Sequence, residues 1–505
     1  MMGRLSREYL AQIFALSVSL LDRVVVTGLL LRYWGVDVFA SWALALSLAG
    51  MISLFDFGLP SYFPNRLLFA IEQKRMKDAR HVLGAGNLLL ILASGLGLLV
   101  IMLWNGLQPE GAASGGGVQK AEWLVLLLLG LATVLRQSMG AQLPLYRAHK
   151  DFLRETLVIN TAELVRIALT VAAVAAGQSL TIVAGIYAMT TLLVIMVYPI
   201  WDTARRYPGL NYHVALPDAE ERREAFRVSM LYWVQSSVNT AILYLPVILL
   251  AQFNATGAVV AQFALMRTLS NLVRTTIQMF ANVFGLEAAR RIARNDRPGL
   301  HIVYGDSSRV LAVQMGGIVG ILAVAGHTLF AVWTGQSSLY DPIMFSLAVL
   351  PTLALPTMAI LSQILVCSNM PKALAVGRAA QVGLTVAAFF LLPIESVGLR
   401  MMAALALGEV LGFAPPVITV ARSLMPDASL IEHLGIMVRG AASGVLCAVA
   451  TYAGLYWAPG TSLVVQLTCA LLAGGLGLAL STWALGLSAD RRTQLKTIVA
   501  ARRSA

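Results

Sequence analysis

Long apolar runs, most of them about 20 residues, follow one another along nearly the whole chain and are separated by short polar segments. A helix needs about 20 mostly apolar residues to cross the hydrocarbon core of a bilayer. The pattern therefore predicts an all-α polytopic membrane protein. It predicts fourteen spans, numbered 1 to 14 in chain order, at residues 9–31, 38–58, 81–104, 122–144, 156–176, 180–200, 227–250, 258–282, 308–333, 342–366, 373–393, 399–421, 437–456 and 463–487.

The content of charged residues fits this class. Of the 505 residues, 58% are hydrophobic and 12% are charged, whereas a soluble domain carries about 25% charged residues. Too few charges are present to build a water-facing surface, which excludes a soluble enzyme, a disordered chain and a nucleic-acid-binding protein. The three cysteines lie far apart inside apolar runs, so neither a metal site nor a disulfide framework is indicated, and we expect no cofactor.

The distribution of basic residues predicts the orientation in the membrane. Cytoplasmic loops of membrane proteins carry an excess of Lys and Arg. With the N-terminus inside, the outer segments hold only Arg32, Lys120 and Arg400 of the 37 Lys and Arg residues. Because fourteen is an even number, both termini are then cytoplasmic. The net charge of +12 is explained by topology and by attraction to anionic lipid.

The longest inner loop divides the first twelve spans into two sets of six that run in the same direction, as in transporters built from parallel repeats. When the second set of six spans is aligned with the first so that Arg378 matches Asn160, Gln381 matches Glu163. The predicted organisation is an N-terminal six-helix bundle at 1–200, a cytoplasmic loop at 201–226, a C-terminal six-helix bundle at 227–421, spans 13 and 14 at 422–487, and a basic cytoplasmic tail at 488–505.

Polar residues inside the spans are candidates for function. A charge at the centre of a span costs about 2.5–3.5 kcal/mol, so it normally faces a cavity or a partner. In span 8, Arg267, Asn271, Arg274 and Gln278 are spaced by 4, 3 and 4 residues and share one helix face. Span 7 carries an uncharged polar stripe. Since lipid cannot accept these polar edges, we expect a shared aqueous cavity between the halves.

These residues form three candidate groups. Cations outnumber acids inside the spans, which indicates an anionic cargo, and the planar fork of arginine suits phosphate. The candidate substrate-binding cations are Arg23, Arg136, Arg166, Arg267, Arg274 and Arg378. The candidate polar ligands are Tyr232, Gln235, Asn239, Asn271 and Gln278. The candidate residues for H⁺ or Na⁺ coupling are Asp22, Glu163 and Glu409.

Several of these residues also fit a purely structural interpretation. Glu163 and Arg166 are three residues apart, which suits an ion pair within one helix. Asp22 and Arg23 could each be satisfied by a neighbouring helix. Arg136 and Arg378 could extend to the lipid headgroups. No acidic residue lies within span 8 itself, so a structural role is hardest to assign to Arg267 and Arg274.

Three segments resemble bacterial polysaccharide-unit flippases, the translocases of O-antigen and exopolysaccharide units. They are LLRYWGVDVFASWALALSLAGMISLFDFGLPSYFPNRL at 30–67, YRAHKDFLR at 146–154 and VVAQFALMRTLSNLVRTTIQMF at 259–280. The family belongs to a superfamily that also contains multidrug-and-toxin extruders and the lipid II flippase. The resemblance implies two six-helix bundles in a V with two further C-terminal helices, and alternating access. This chain differs from the family at the inner end of span 8. The family often has a proline there, whereas this chain has NVFGLEAARRIARND, which contains none.

The resemblance also implies the cargo, which would be a polyprenyl-pyrophosphate-linked oligosaccharide carried from the cytoplasmic to the outer leaflet of a bacterial inner membrane. Other implied partners are membrane lipids, a polysaccharide polymerase and a chain-length regulator. The alternatives are a drug or cation antiporter of the same fold, whose cationic substrates favour acidic cavities, and a polysaccharide polymerase or ligase. Such enzymes usually need large outer loops with Arg or His, and the longest outer loop here has neither.

Overall fold

The computed structural model describes residues 14–15, 17–19, 21–108, 121–149, 151–253, 255–294, 296–354, 357–367, 371–424, 430–487 and 493. Within these ranges the chain is helical nearly throughout and contains no β-strand. Helical segments lie at all fourteen predicted spans, although the first eight positions of 9–31 fall largely outside the described residues. The predicted all-α fold is therefore confirmed.

The first unit of the chain contains the helices of spans 1 to 7. Spans 1 and 2 are formed by Asp22–Val26, Thr27–Met51 and Ile52–Asp56, span 3 by Met76–Leu107, span 4 by Trp123–Ser138, span 5 by Phe152–Ala175, span 6 by Leu180–Thr190, Thr191–Val197 and Tyr198–Arg206, and span 7 by Ala219–Gln252. Two short connecting helices are Leu59–Glu72 and Pro144–Ala148.

The remaining helices begin with span 8, Gly257–Ala293. Span 9 is Arg297–Thr334, span 10 is Pro342–Ala354 with Met358–Cys367, span 11 is Pro371–Leu391, span 12 is Val397–Leu407 with Gly408–Phe413 and Ala414–Leu424, span 13 is Leu430–Tyr456, and span 14 is Leu463–Ser481 with Thr482–Gly486. A short 3₁₀ turn, Ser337–Leu339, precedes span 10.

Many of these helices can cross a bilayer. Among the described residues, nine helices are long and apolar enough, or ten when the bent pair Pro342–Leu353 and Met358–Leu365 counts as one span. Span 4 is shorter, and span 8 contains Arg267 and Arg274 within its apolar run. The protein is a multi-pass membrane protein.

Local backbone geometry marks the turns and irregularities of the spans. Gly35 has φ 76° and breaks the helix Thr27–Met51 between spans 1 and 2, as the sequence predicts. Both span 6 and span 12 contain a π-helical segment, at Thr191–Val197 and Gly408–Phe413. The shift that places Asn160 on Arg378 places Thr191 on Glu409, so the two π-segments fall at matching positions of the predicted halves. π-Segments are frequent at functional sites.

The chain divides into two compact units, Met1–Ala261 and Gln262–Ala505. In the first unit, span 7 packs against span 2 and the turn that follows it: the indole Nε1 of Trp233 donates a hydrogen bond to the carbonyl oxygen of Leu54 at 2.6 Å. Gly58, with φ 72°, fits against the Ser229 backbone, where a Cβ would collide. The bundle boundaries at 200 and 227 stay a prediction.

In the second unit, spans 13 and 14 are attached to span 9 through small residues. Span 9 carries Gly316 and Gly320, and span 13 carries Gly440 and Gly444. A Cβ on either glycine of span 9 would overlap a carbonyl oxygen of span 13. The side chain of Ser443 donates a hydrogen bond to the carbonyl oxygen of Val313 at 2.8 Å. This is the small-residue packing by which membrane helices approach closely.

Candidate functional site

Three arginines and one glutamate form a charge cluster within the second unit, which we call the C-terminal charge cluster: Arg267, Arg274, Arg378 and Glu409. Spans 8, 11 and 12 supply them. An Nη of Arg274 lies 2.7 Å from a carboxylate oxygen of Glu409, and the other Nη donates to the carbonyl oxygen of Ala348 at 3.4 Å. The charges of Arg274 and Glu409 both act on Arg267 and Arg378.

Aromatic faces and an amide hold the other two guanidinium groups. Arg378 donates a hydrogen bond to the side-chain oxygen of Gln381 at 2.7 Å and lies 3.9 Å from the centre of the Phe413 ring. Arg267 lies 5.7 Å from the centre of the Phe263 ring. Cation–π contacts of this kind stabilise a guanidinium group that has been removed from water. They use the face of the guanidinium group, while its N–H donors point outward in the plane of the group.

Glycines bring Glu409 to its position. Span 12 packs against span 11 through Gly408 and Gly412, which both belong to its π-segment, Gly408–Phe413. A Cβ on Gly412 would lie 2.8 Å from the backbone of Ala380, and a Cβ on Gly408 would lie 2.7 Å from the carbonyl oxygen of Gln381. Only glycine permits so close an approach of the two backbones. Glu409, between the two glycines, thereby reaches Arg274.

The C-terminal charge cluster carries excess positive charge. Of the four residues that define it, three carry guanidinium groups, which are always protonated, and one carries a carboxylate. Among the described residues, nothing accepts a hydrogen bond from the buried Nε of Arg274, and the buried hydroxyl of Thr385 in span 11 also has no partner. Burying net charge without partners is unfavourable. A cluster of this composition can bind an anion with several oxygen atoms.

A second set of charges lies in the first unit and is balanced; we call it the N-terminal charge cluster. It consists of Asp22 of span 1, Arg136 of span 4, and Glu163 and Arg166 of span 5. Arg166 forms an ion pair with Glu163 and a second one, at 2.9 Å, with Asp22. Arg136 lies 2.7 Å from the other carboxylate oxygen of Glu163. The ion pair expected between Glu163 and Arg166 is thus present.

A cavity of about 280 Å³ adjoins the N-terminal charge cluster. Its wall includes Arg136, Glu163 and Arg166, together with Tyr187 and Thr191 of span 6 and Tyr244 of span 7. The guanidinium of Arg166 lies 4.2 Å from the centre of the Tyr187 ring. With two cations and two anions, this cluster is suited to holding helices in register and to changing its pairing when one carboxylate takes up a proton.

The N-terminal charge cluster predicts unequal effects for its two arginines. The Arg166 side chain is 15% exposed and bridges two carboxylates, so Arg166→Gln should reduce the free energy of unfolding by about 1–3 kcal/mol. The Arg136 side chain is 50% exposed, so Arg136→Gln should cost about 0–1 kcal/mol. Thermal unfolding of the purified variants measures both. Equal losses would contradict the central position assigned to Arg166.

The other predicted site residues are less closely connected. Asn271 is partly buried on span 8, on the same helix as Arg267 and Arg274, and Asn239 on span 7 is exposed. The side chains of Arg23, Tyr232, Gln235 and Gln278 lie outside the described part of the structure. Their proposed contacts with substrate stay predictions.

Sequence reasoning missed the residues that hold the charges in place. Tyr187 and Phe413 occur within apolar runs, and nothing in the spacing of either run distinguishes a cation-binding ring from a core residue. Gly408 and Gly412, four residues apart, were the available signal, since a pair of small residues at this spacing indicates close helix packing. The partner of Arg274 was missed because Glu409 lies in a different span.

Comparison with solved structures finds likenesses to membrane transporters. The first is to an inward-facing conformation of a multidrug resistance MATE family transporter of the MOP superfamily, with 14% sequence identity, 83% of this chain and 99% of that chain covered, and a TM-score of 0.61. The second is to the lipid II flippase MurJ in an inward closed conformation, with 12% identity, coverage of 95% and 99%, and a TM-score of 0.64. This chain has the fold of these transporters.

A third structure, a MATE transporter in a bent conformation, matches with 14% identity, coverage of 83% of this chain and 95% of that chain, and a TM-score of 0.50. No protein-family model matches the sequence, and no curated protein matches it either. At these identities the likeness concerns the fold alone. The function has to be argued from the charges and side chains of this chain.

Proposed function

We propose that this protein is a flippase for a polyprenyl-pyrophosphate-linked oligosaccharide. It carries the repeat unit of a surface polysaccharide, such as O-antigen or exopolysaccharide, from the cytoplasmic to the outer leaflet by alternating access. The single observation that carries the proposal is that spans 8, 11 and 12 bring three guanidinium groups, those of Arg267, Arg274 and Arg378, into one cluster with Glu409.

The chemistry of the cluster suits a pyrophosphate. Arginine binds phosphate oxygens through two parallel N–H donors and keeps its charge at every physiological pH. The unpartnered Nε of Arg274 supplies one further donor for an oxygen atom. Glu409 has a second task in this scheme: it neutralises part of the charge while the site is empty and can release Arg274 when pyrophosphate arrives.

The membrane potential favours this direction of transport. When a negative group moves outward across an inside-negative membrane, its electrostatic free energy falls by about 2.3 kcal/mol per charge per 100 mV. A cargo with about two charges therefore gains about 4–5 kcal/mol at 100 mV. Coupling to H⁺ or Na⁺ is an additional source of energy in the proposal, and Asp22, Glu163 and Glu409 are the carboxylates that could take part.

A drug or cation antiporter is the second candidate, because the fold is also that of a multidrug resistance MATE family transporter. A cationic drug needs acceptors of its charge. In the C-terminal charge cluster the cations outnumber the acid, and in the N-terminal charge cluster both carboxylates are already paired. The observed charges therefore favour an anionic substrate.

The direct test is a deletion strain. Loss of the gene should cause the lipid-linked oligosaccharide to accumulate in the inner leaflet, where it is shielded from a glycosidase added to spheroplasts. Complementation with the wild-type gene should restore its access to the enzyme. An unchanged leaflet distribution together with increased sensitivity to cationic drugs would overturn the flippase and favour the antiporter.

A further inference from the structure

A separate pocket of about 440 Å³ lies in the first unit, at the end where spans 1 and 5 turn into spans 2 and 6 and where span 4 begins. The predicted topology places this end on the outer side. Gly35 (φ 76°) and Gly177 (φ 70°) make the two turns. An added Cβ would contact nothing at either position, so glycine is needed there for its backbone conformation.

One side of this pocket is aromatic. The Tyr33 side chain is 56% exposed. Its neighbour Trp34 is fixed, because the indole Nε1 donates a hydrogen bond to the carbonyl oxygen of Gln178 at 3.3 Å and the ring packs edge-on against Trp42 at 6.2 Å. An exposed aromatic ring beside a fixed one offers a flat apolar surface, onto which the C–H face of a sugar ring can pack.

The pocket lining also contains polar groups. An oxygen of the exposed Glu122 carboxylate accepts a hydrogen bond from the Thr181 hydroxyl at 3.1 Å. The carboxylate keeps further lone pairs for other donors, and the side chains of Gln178 and Ser179 add an amide and a hydroxyl to the lining. Neighbouring acceptors and donors of this kind match the adjacent hydroxyl groups of a sugar.

The charge of the pocket narrows the class of ligand. Glu122 lines it, and no Lys or Arg is present among its described lining residues. Among these described lining residues, a phosphate or an acidic sugar would meet the Glu122 carboxylate and no cation that compensates its charge. The lining therefore favours a neutral or N-acetylated sugar ring, in contrast to the C-terminal charge cluster, which favours an anion.

An aromatic column connects the pocket with the N-terminal charge cluster. Trp34 contacts Trp42, and Trp42 packs edge-on against Tyr187 with 5.3 Å between ring centres. Tyr187 in turn lies under the guanidinium of Arg166. A ligand that contacts Trp34 is therefore connected, through the packed rings of Trp42 and Tyr187, with Arg166 of the N-terminal charge cluster.

We propose that this pocket binds a neutral sugar ring, which stacks on Tyr33 and donates hydrogen bonds from its hydroxyl groups to Glu122. Binding of the sugar is a property of the pocket itself. Its use, which rests on the proposed function, is to hold the first sugars of the oligosaccharide as they leave on the outer side. An alternative role for Tyr33 and Trp34 is that of membrane-interface anchors, and the experiment separates the two.

The experiment is saturation-transfer NMR on the purified full-length protein in detergent. The probes are maltotriose, cellotriose, mannotriose and triacetylchitotriose. We expect transfer to at least one trisaccharide, with affinity about tenfold weaker in Tyr33→Ala, since one aromatic contact is lost, and retained in Tyr33→Trp. Glu122→Gln should also weaken binding. Tyr456→Ala is the matched control, because Tyr456 is 73% exposed on span 13 and is not among the described lining residues of the pocket.

The outcomes distinguish this proposal from the flippase proposal. No transfer to any of the four trisaccharides, or equal transfer in wild type and Tyr33→Ala, would overturn the proposed sugar pocket. Tyr33 and Trp34 would then be interpreted as membrane-interface anchors. That result would not affect the deletion-strain test of the flippase. The opposite combination is also informative. If a trisaccharide binds at Tyr33 but deletion of the gene leaves the lipid-linked oligosaccharide unaffected, the sugar pocket is supported and the flippase proposal is refuted.

Discussion

Surface polysaccharide should fall by more than about tenfold when Arg267 and Arg274 are both replaced by Gln, at equal amounts of membrane-inserted protein. Each charged hydrogen bond to a phosphate oxygen contributes about 1.5–3 kcal/mol, and about 1.4 kcal/mol corresponds to a factor of ten. Quantification of extracted polysaccharide measures the effect. Arg439→Gln is the matched control, since Arg439 is an exposed arginine on span 13. Unchanged export in the double variant would contradict the prediction.

A further variant separates binding from structure in the same cluster. Arg274→Gln alone removes a possible ligand of the pyrophosphate and also leaves Glu409 without its partner at 2.7 Å. Removing both partners of an ion pair is often close to neutral for stability, whereas removing one is not. Arg274→Gln/Glu409→Gln should therefore recover folding but not export. Recovery of export would mean that Arg274 serves only to pair with Glu409.

Gly440→Leu should prevent span 13 from docking on span 9. A Cβ at Gly440 would lie 2.9 Å from the carbonyl oxygen of Ala312, and the rest of the leucine side chain has no space between the two backbones. Overpacking of a tight interface costs about 1–3 kcal/mol, and a helix that is forced apart loses its other contacts as well. We expect little folded protein after extraction, measured by size-exclusion chromatography and thermal unfolding.

The control for this variant lies on the same helix. Gly435 is also in Leu430–Tyr456, and an added Cβ there would contact nothing within 4 Å. Gly435→Leu should therefore behave as wild type. It is a matched control, because both substitutions remove one glycine from span 13 and add the same apolar side chain. If both variants remain folded, the glycine packing between spans 9 and 13 does not hold the two helices together.

The helical fold was predictable because its main determinant is local. Runs of about 20 apolar residues predict helices in a bilayer whatever their neighbours are, and the turn at Gly35 fell where the predicted spans 1 and 2 separate. The irregular segments were not predictable in this way. The π-segment at Gly408–Phe413 depends on how span 12 packs against span 11, which its own hydrophobicity does not encode.

The site was predictable in its residue types but not in its pairing. Helical periodicity showed that Arg267 and Arg274 share a face, because both lie on one helix. It could not show which helix that face meets, so the ion pair between Arg274 and Glu409 came from the structure. Asp22 and Arg166 illustrate the same point in the first unit, since they are paired across spans 1 and 5.

The most direct test of the cationic site is the affinity of the purified protein for a polyprenyl pyrophosphate, measured by native mass spectrometry with the corresponding polyprenol as reference lipid. Wild type and Arg439→Gln should bind the pyrophosphate with equal affinity and prefer it to the polyprenol. Arg267→Gln/Arg274→Gln should bind it about 100-fold less tightly, which corresponds to about 2.7 kcal/mol. Equal affinity in all three proteins would contradict a pyrophosphate site at these arginines.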